Sequence, residues 1–137
     1  MINWLKKLFS SSSSNQRGII AAQVTKLEKH PNADRLRVVE LSDGQSTIYP
    51  VVCGAFNFDL GDMVVLALPG ALVARNIHSE KHEPFVLQKA TIRGVESQGM
   101  VCAGFELGLD ESTEPKILVL KNDVKPGSQF TKDMIKT

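Results

Sequence analysis

The chain has 137 residues, 42% hydrophobic and 23% charged, which fits one soluble globular domain with its own core. Sixteen Lys and Arg stand against fifteen Asp and Glu, a net charge of +1, which excludes a protein that coats nucleic acid by bulk charge; any anion binding has to come from local clustering. The two cysteines, Cys53 and Cys102, lie far apart and form no CxxC pair, which excludes a disulfide framework and a four-cysteine zinc site and leaves buried free thiols in a reducing compartment as the expectation.

In chain order, residues 1–9, MINWLKKLF, suit two turns of helix with Ile2, Leu5, Leu8 and Phe9 on one side. They lack the continuous apolar core and cleavage site of a signal peptide. Nowhere does an apolar run approach the ~18 residues of a membrane-spanning helix. The chain is therefore read as cytoplasmic, with no membrane partner. Residues 10–16, SSSSSNQ, read as a flexible linker, so 1–17 is set apart as an amino-terminal segment.

From Gly18 the texture changes, and Ile20, Ala22 and Val24 alternate with Ala21, Gln23 and Thr25 as in a strand. HPNAD (30–34) is a turn cluster. Further strands are predicted over 36–41, 47–53, 63–68 and 85–93, with shorter ones at 99–103 and 117–120, and one helical turn at 105–108. Short strands separated by Gly, Pro, Asn and Asp predict an all-β fold. The expected form is a small five-stranded Greek-key barrel of the oligonucleotide/oligosaccharide-binding (OB) type with short flanking strands and turns, although the pattern fits other small barrels too. The domain is placed at 18–121, with 122–137 as a carboxyl-terminal extension.

Enzyme chemistry finds little support in the residues. His78-x-x-x-His82 has zinc-like spacing, with Glu80 and Glu83 beside it, but a metal needs three or four fixed ligands and this polar stretch reads as a solvated loop. Cys53 sits in VVCGA, a context for a buried thiol rather than a nucleophile. No GxSxG, Walker loop or GxGxxG occurs. No metal, cofactor or catalytic residue is expected.

Nucleic-acid binding rests on distributed cations. On one strand over 85–93, Lys89 and Arg93 would share a face about 13 Å apart, a spacing able to span phosphates. Lys26, Lys29, His30, Arg35 and Arg37 add a basic group around the first turn. Solvated charge and phosphate contact both fit these residues. Gly94 and Gly99 fit either a bulge or bend, or a close approach of RNA backbone.

KHPNADRL (29–36), VVCGAFN (51–57) and KATIRGVESQGMVC (89–102) together resemble the tRNA-binding OB domain attached to several aminoacyl-tRNA synthetases. That family includes a module of the bacterial phenylalanyl-tRNA synthetase beta subunit, the carboxyl-terminal domain of many methionyl-tRNA synthetases, free-standing tRNA-binding proteins and the domain of endothelial monocyte-activating polypeptide. The resemblance covers roughly 18–120 and is nearest the phenylalanyl beta-subunit form, through VVCGA-x-N, ELGL (106–109) and the opening MINWLKK. It departs at Phe56, where the family form usually has proline, and in RNIHSEKHEP (75–84).

The resemblance implies binding of tRNA by its shape, at the outer corner or along the acceptor side, with little sequence preference. It implies RNA-binding roles for Lys89, Arg93, Ser97, Met100 and Asn32, with Lys29 and Arg35 beside them. It also implies a closed barrel over about 18–121 with Val24, Val38, Val52, Val65, Ile92 and Val101 pointing inward, a homodimer, and association with synthetase subunits. A chaperone-like peptide-binding role and a synthetase-docking role belong to the same resemblance. Whether the chain is free-standing or part of a synthetase stays open.

Overall fold

The computed structural model describes residues 17–136; the expected amino-terminal helix and the serine linker lie outside them. Ten strands follow in order: β1 Ile19–Lys29, β2 Arg37–Ser42, β3 Thr47–Cys53, β4 Met63–Ala67, β5 Leu72–Val73, β6 Phe85–Val86, β7 Ala90–Ile92, β8 Val95–Ser97, β9 Met100–Val101 and β10 Val119–Leu120. Two single 3-10 turns, Phe105–Leu107 and Lys132–Met134, complete the described elements, so the fold is all-β. No helix among the described residues is long and apolar enough to cross a membrane.

The main sheet is antiparallel, in the order β10-β4-β1-β2-β3, with β9 also paired to β4. The long β1 serves two neighbours: Ile19 to Gln23 face β4, and Gln23 to Lys29 face β2. A bulge between Val24 and Lys26 bends it between the two tasks, and Thr25 there donates its hydroxyl to the Glu40 carbonyl. The sheet curls into a half-barrel.

Closure fails to run as a ladder, for a reason written in β3. Pro50 has no N–H to give, so β3 belongs at an edge. Its open side is bridged instead at two points: Gln98 N–H donates to the Pro50 carbonyl at 2.8 Å, and Val52 N–H donates to Ser97 Oγ at 2.9 Å.

Two apolar clusters lie on opposite faces of the sheet. The barrel interior holds Ala22, Val24, Val39, Leu41, Val51, Phe58, Val64, Leu66 and Val101. The second cluster gathers Ile19, Ala21, Met63, Val65, Ala67, Cys102, Leu120 and Phe130. The first four residues of β1 and all of β4 are therefore covered on both faces, and β4 (MVVLA) reads as an uninterrupted apolar run for that reason.

This corrects the single inward face expected from the sequence. Val24 and Val101 point into the barrel, but Val65 lies in the second cluster. Val38 and Val52, out of phase with Val39 and Val51, are buried outside both clusters, and Ile92 is half-buried.

The segment after β10 completes the second cluster. Phe130 N–H donates to the Ile19 carbonyl, Ala21 N–H to Ser128 and Gly127 N–H to Ala21, laying residues 127–130 along β1. Phe130 is buried beneath them. The expected extension is thus packed onto the barrel.

Candidate nucleic-acid interface

The strand expected over 85–93 is three pieces. β6 pairs with β5, the chain then breaks, and β7 and β8 form a hairpin with Ala90 opposite Ser97, Thr91 opposite Glu96 and Ile92 opposite Val95. Its two-residue loop is Arg93 and Gly94, at φ of 53° and 91°. Two successive positive φ values are what a tight hairpin turn with the natural strand twist demands, and glycine supplies the second without strain. Strand alternation therefore ends at Ile92. Arg93 projects from a turn, and Lys89 precedes the hairpin at its other end; the shared strand face does not exist.

Both cations are exposed. The turn after β1 is fastened directly to the hairpin tip. His30, 2% exposed, accepts the Asn32 N–H on Nδ1 at 3.0 Å, which leaves Nε2 to donate to the Ile92 carbonyl at 3.1 Å. Asn32 Nδ2 donates to the Arg93 carbonyl at 2.9 Å. Two side chains of the HPNAD turn thus hold two successive carbonyls, of Ile92 and Arg93, where the chain enters the hairpin loop. This clamp joins the turn that carries exposed Asn32 and Arg35, with exposed Lys29 just before it, to the hairpin tip that carries exposed Arg93. Lys29 makes only a loose, solvated pair with Asp34 at 3.8 Å.

Two members of the expected basic group turn inward. His30 is the buried clamp. Arg37 lays its guanidinium between Phe56 and Phe58, 4.7 and 4.6 Å from the ring centres, and donates to the Ala55 and Phe58 carbonyls at 3.3 and 3.0 Å. It braces residues 55–58 rather than facing solvent.

Ser97, expected on the RNA-facing surface, is buried at 4% exposure with both hydrogen-bonding roles filled: it accepts the Val52 N–H and donates to the Gly99 carbonyl at 2.9 Å. It is the seam of the barrel. Met100 is half-buried, paired with Ala67 and packed against the second cluster. Gly99 permits that pairing, because a Cβ there would lie 2.9 Å from the Ala67 carbonyl oxygen.

Beside the seam lies a cavity of about 640 Å³, bordered by the end of β3, the β7–β8 hairpin and residues 113–117. Glu106 lines it at 6% exposure, with Oε1 accepting the Ala103 N–H at 2.8 Å. Burial pushes its pKa above the usual carboxylate value. Burial likewise raises the thiols of Cys53 and, well above its ordinary value, Cys102. Neither is an activated nucleophile. The sequence held no signal for Glu106 beyond its place in ELGL.

The loop after β5 is organised by Arg75. Its guanidinium covers the Phe105 ring at 4.2 Å, donates to the Phe105 and Asp110 carbonyls and pairs with Glu111 at 3.1 Å. His82 packs edge-on against Phe105, and among the described residues no group of three or more His, Cys, Asp or Glu is placed to hold a metal.

Residues 19–129 match the family described as "Putative tRNA binding domain". The phenylalanine–tRNA ligase beta subunit of Bdellovibrio bacteriovorus is 37% identical over 112 residues, 82% of this chain and 13% of that subunit. That of Chlamydia pneumoniae is 46% identical over 93 residues, 68% of this chain and 11% of the subunit. The "Putative tRNA-binding protein YtpR" of Bacillus subtilis is 40% identical over 112 residues, 81% of this chain and 51% of that protein. The chain thus spans about an eighth of the ligase subunits and about half of the Bacillus protein. Among solved structures, a methionyl-tRNA-synthetase-related protein from Pyrococcus horikoshii superposes with a TM-score of 0.57 at 18% identity, covering 82% of this chain and 88% of that one, a likeness of fold.

Proposed function

The chain belongs to the tRNA-binding domain family, and on that premise we propose that the ridge formed by the 30–36 turn and the β7–β8 hairpin binds tRNA. One observation supports the reading: the His30 and Asn32 clamp, which fastens the turn bearing Lys29 and Arg35 to the hairpin tip bearing Arg93 in a protein with a net charge of only +1. Lys89 extends the ridge at the hairpin's base. Phosphates meet these cations, and recognition follows RNA shape with little base preference. Ser97 and Met100 act from behind, by holding the hairpin against β3 and β4.

The domain itself performs no catalysis in this reading. It works in the cytoplasm, as a homodimer or alongside synthetase subunits, presenting tRNA rather than reacting with it. A mobility-shift titration against tRNA, single-stranded DNA and an unfolded peptide at one stated salt concentration tests it. The reading requires tRNA to bind most tightly; preference for the peptide overturns it in favour of a chaperone-like role.

A further inference from the structure

The cavity beside the barrel seam has a composition that solvated charge and simple packing leave unexplained. Its volume of about 640 Å³ falls within the roughly 300–1,000 Å³ of small-ligand pockets. It stays open because small residues border it: Gly54, Ala55, Ala90, Gly99 and Ala103. Leu36, Val52 and Phe85 supply apolar wall. Two acids line this largely apolar space, and one of them, Glu114, pairs with Lys116. The other, Glu106, is 94% removed from solvent, with Oε1 on the Ala103 N–H and the second oxygen without a hydrogen-bond partner among the described residues. Among the described residues the buried side-chain atom without a partner is Arg37 Nε, so the second Glu106 oxygen is open to solvent through the cavity, where an occupant's N–H can take the place of water.

We infer that this cavity receives one unstacked nucleobase of the bound RNA, with Glu106 accepting a hydrogen bond from the base's exocyclic amino group. This rests on the tRNA-binding reading above and deepens it. A base offers both things the cavity lacks, a flat apolar body for the walls and an N–H donor for the acid; an apolar peptide side chain offers only the first. The surroundings suit the rest of the nucleotide. Gln88 and Ala90 line the cavity while Lys89 between them is exposed, so a phosphate at the mouth meets a cation as the base enters. Lys116 also lines the rim, paired with Glu114 at 3.6 Å. Splayed bases with paired edges are the usual means of reading single-stranded segments of RNA.

Two kinds of variant of the full chain test the inference. Ala90→Phe and, independently, Gln88→Trp fill the cavity from exposed positions outside both apolar clusters, and melting curves check that each folds. The substitution Glu106→Gln keeps Oε1 on the Ala103 N–H and turns a donor toward the base. Binding is measured to tRNA, to oligocytidylate and to oligouridylate, because cytosine carries an exocyclic amino group and uracil does not. The filled variants should bind tRNA about tenfold more weakly at an unchanged salt slope, in the range of one lost base contact. The wild type should favour oligocytidylate over oligouridylate about fivefold or more, and Glu106→Gln should abolish or reverse that preference. Filled variants that bind tRNA and oligocytidylate as well as wild type overturn the base pocket alone. So do filled variants that lose an unfolded peptide and keep RNA. A wild type that binds no tRNA overturns instead the reading on which the pocket rests.

Discussion

Replacing Ser97 with alanine separates a brace from an RNA contact. The hydroxyl accepts the Val52 N–H and donates to the Gly99 carbonyl, each at 2.9 Å, and the side chain is 4% exposed. Alanine leaves one backbone donor and one backbone acceptor without their partner at the point where Pro50 already denies the seam a ladder bond. An unsatisfied buried group costs about 1–3 kcal/mol. Two such groups, partly relieved by water, give a loss of about 2–4 kcal/mol. For a domain of this length each kcal/mol lowers Tm by about 3–5 °C, so Tm should fall by roughly 10 °C. Thermal denaturation followed by circular dichroism measures the fall, and tRNA titration well below the lowered Tm measures binding, which should stay within about twofold of wild type. A shift under about 2 °C together with a large loss of affinity would refute the reasoning and make Ser97 a direct contact.

Three further outcomes follow from buried groups. Glu106 is an acid whose folded pKa is raised by burial above 4.5, so the folded state holds its proton at pH values where the unfolded chain has lost it. Stability contributed by this group is full below about pH 4.5, declines as pH rises through the raised folded value and is constant above it; subtracting the pH–Tm curve of Glu106→Gln from that of wild type should isolate this decline, and superimposable curves would contradict it. Gly99→Ala should cost about 1–3 kcal/mol by denaturant unfolding, because its Cβ would meet the Ala67 carbonyl oxygen at 2.9 Å and the Leu66 Cδ1 at 3.1 Å; a neutral effect would show that β9 can move off β4. Both thiols should react with a thiol reagent only in denaturant, since burial hides them and raises their pKa; rapid labelling of the native protein would contradict this.

The strands over 19–67 were legible because each combines alternation with turn chemistry at its ends, and SDG after β2 and PNAD after β1 mark those ends without ambiguity. The region 85–97 was not. KATIR alternates as a strand should, but the deciding signal was the loop pair Arg93 and Gly94. A hairpin whose first loop residue is arginine at positive φ lacks the Asn-Gly signature that makes such turns readable. The inward set was half legible, because alternation identifies two faces but not whether one or both are covered. Val65 is buried against Phe130's cluster, more than sixty residues downstream, and no local pattern announces that partner.

The site shows the same division. That Lys29, Asn32, Arg35, Lys89 and Arg93 were worth naming was clear from residue type and family resemblance. Their arrangement depended on His30, which sequence reading grouped with the cations and which folding buries as the pin between two loops. The bracing role of Ser97 was hidden for a related reason. A serine within GVESQGM looks like a surface hydroxyl until the proline on the neighbouring edge strand creates a need for it.

The central claim is that the ridge meets phosphates, and the salt dependence of tRNA binding tests it most directly. Lys89→Ala removes one cation. For Arg93 the variant is Arg93→Asn, because asparagine tolerates the positive φ of the loop whereas alanine would add strain. Log affinity against log salt concentration is measured for wild type and the double variant, with melting curves confirming equal folding. Each lost phosphate contact should flatten the slope by roughly 0.7 to 0.9, so the double variant should lose somewhat under two units and bind more weakly at low salt. Equal slopes would contradict the account and return both residues to a solvated surface.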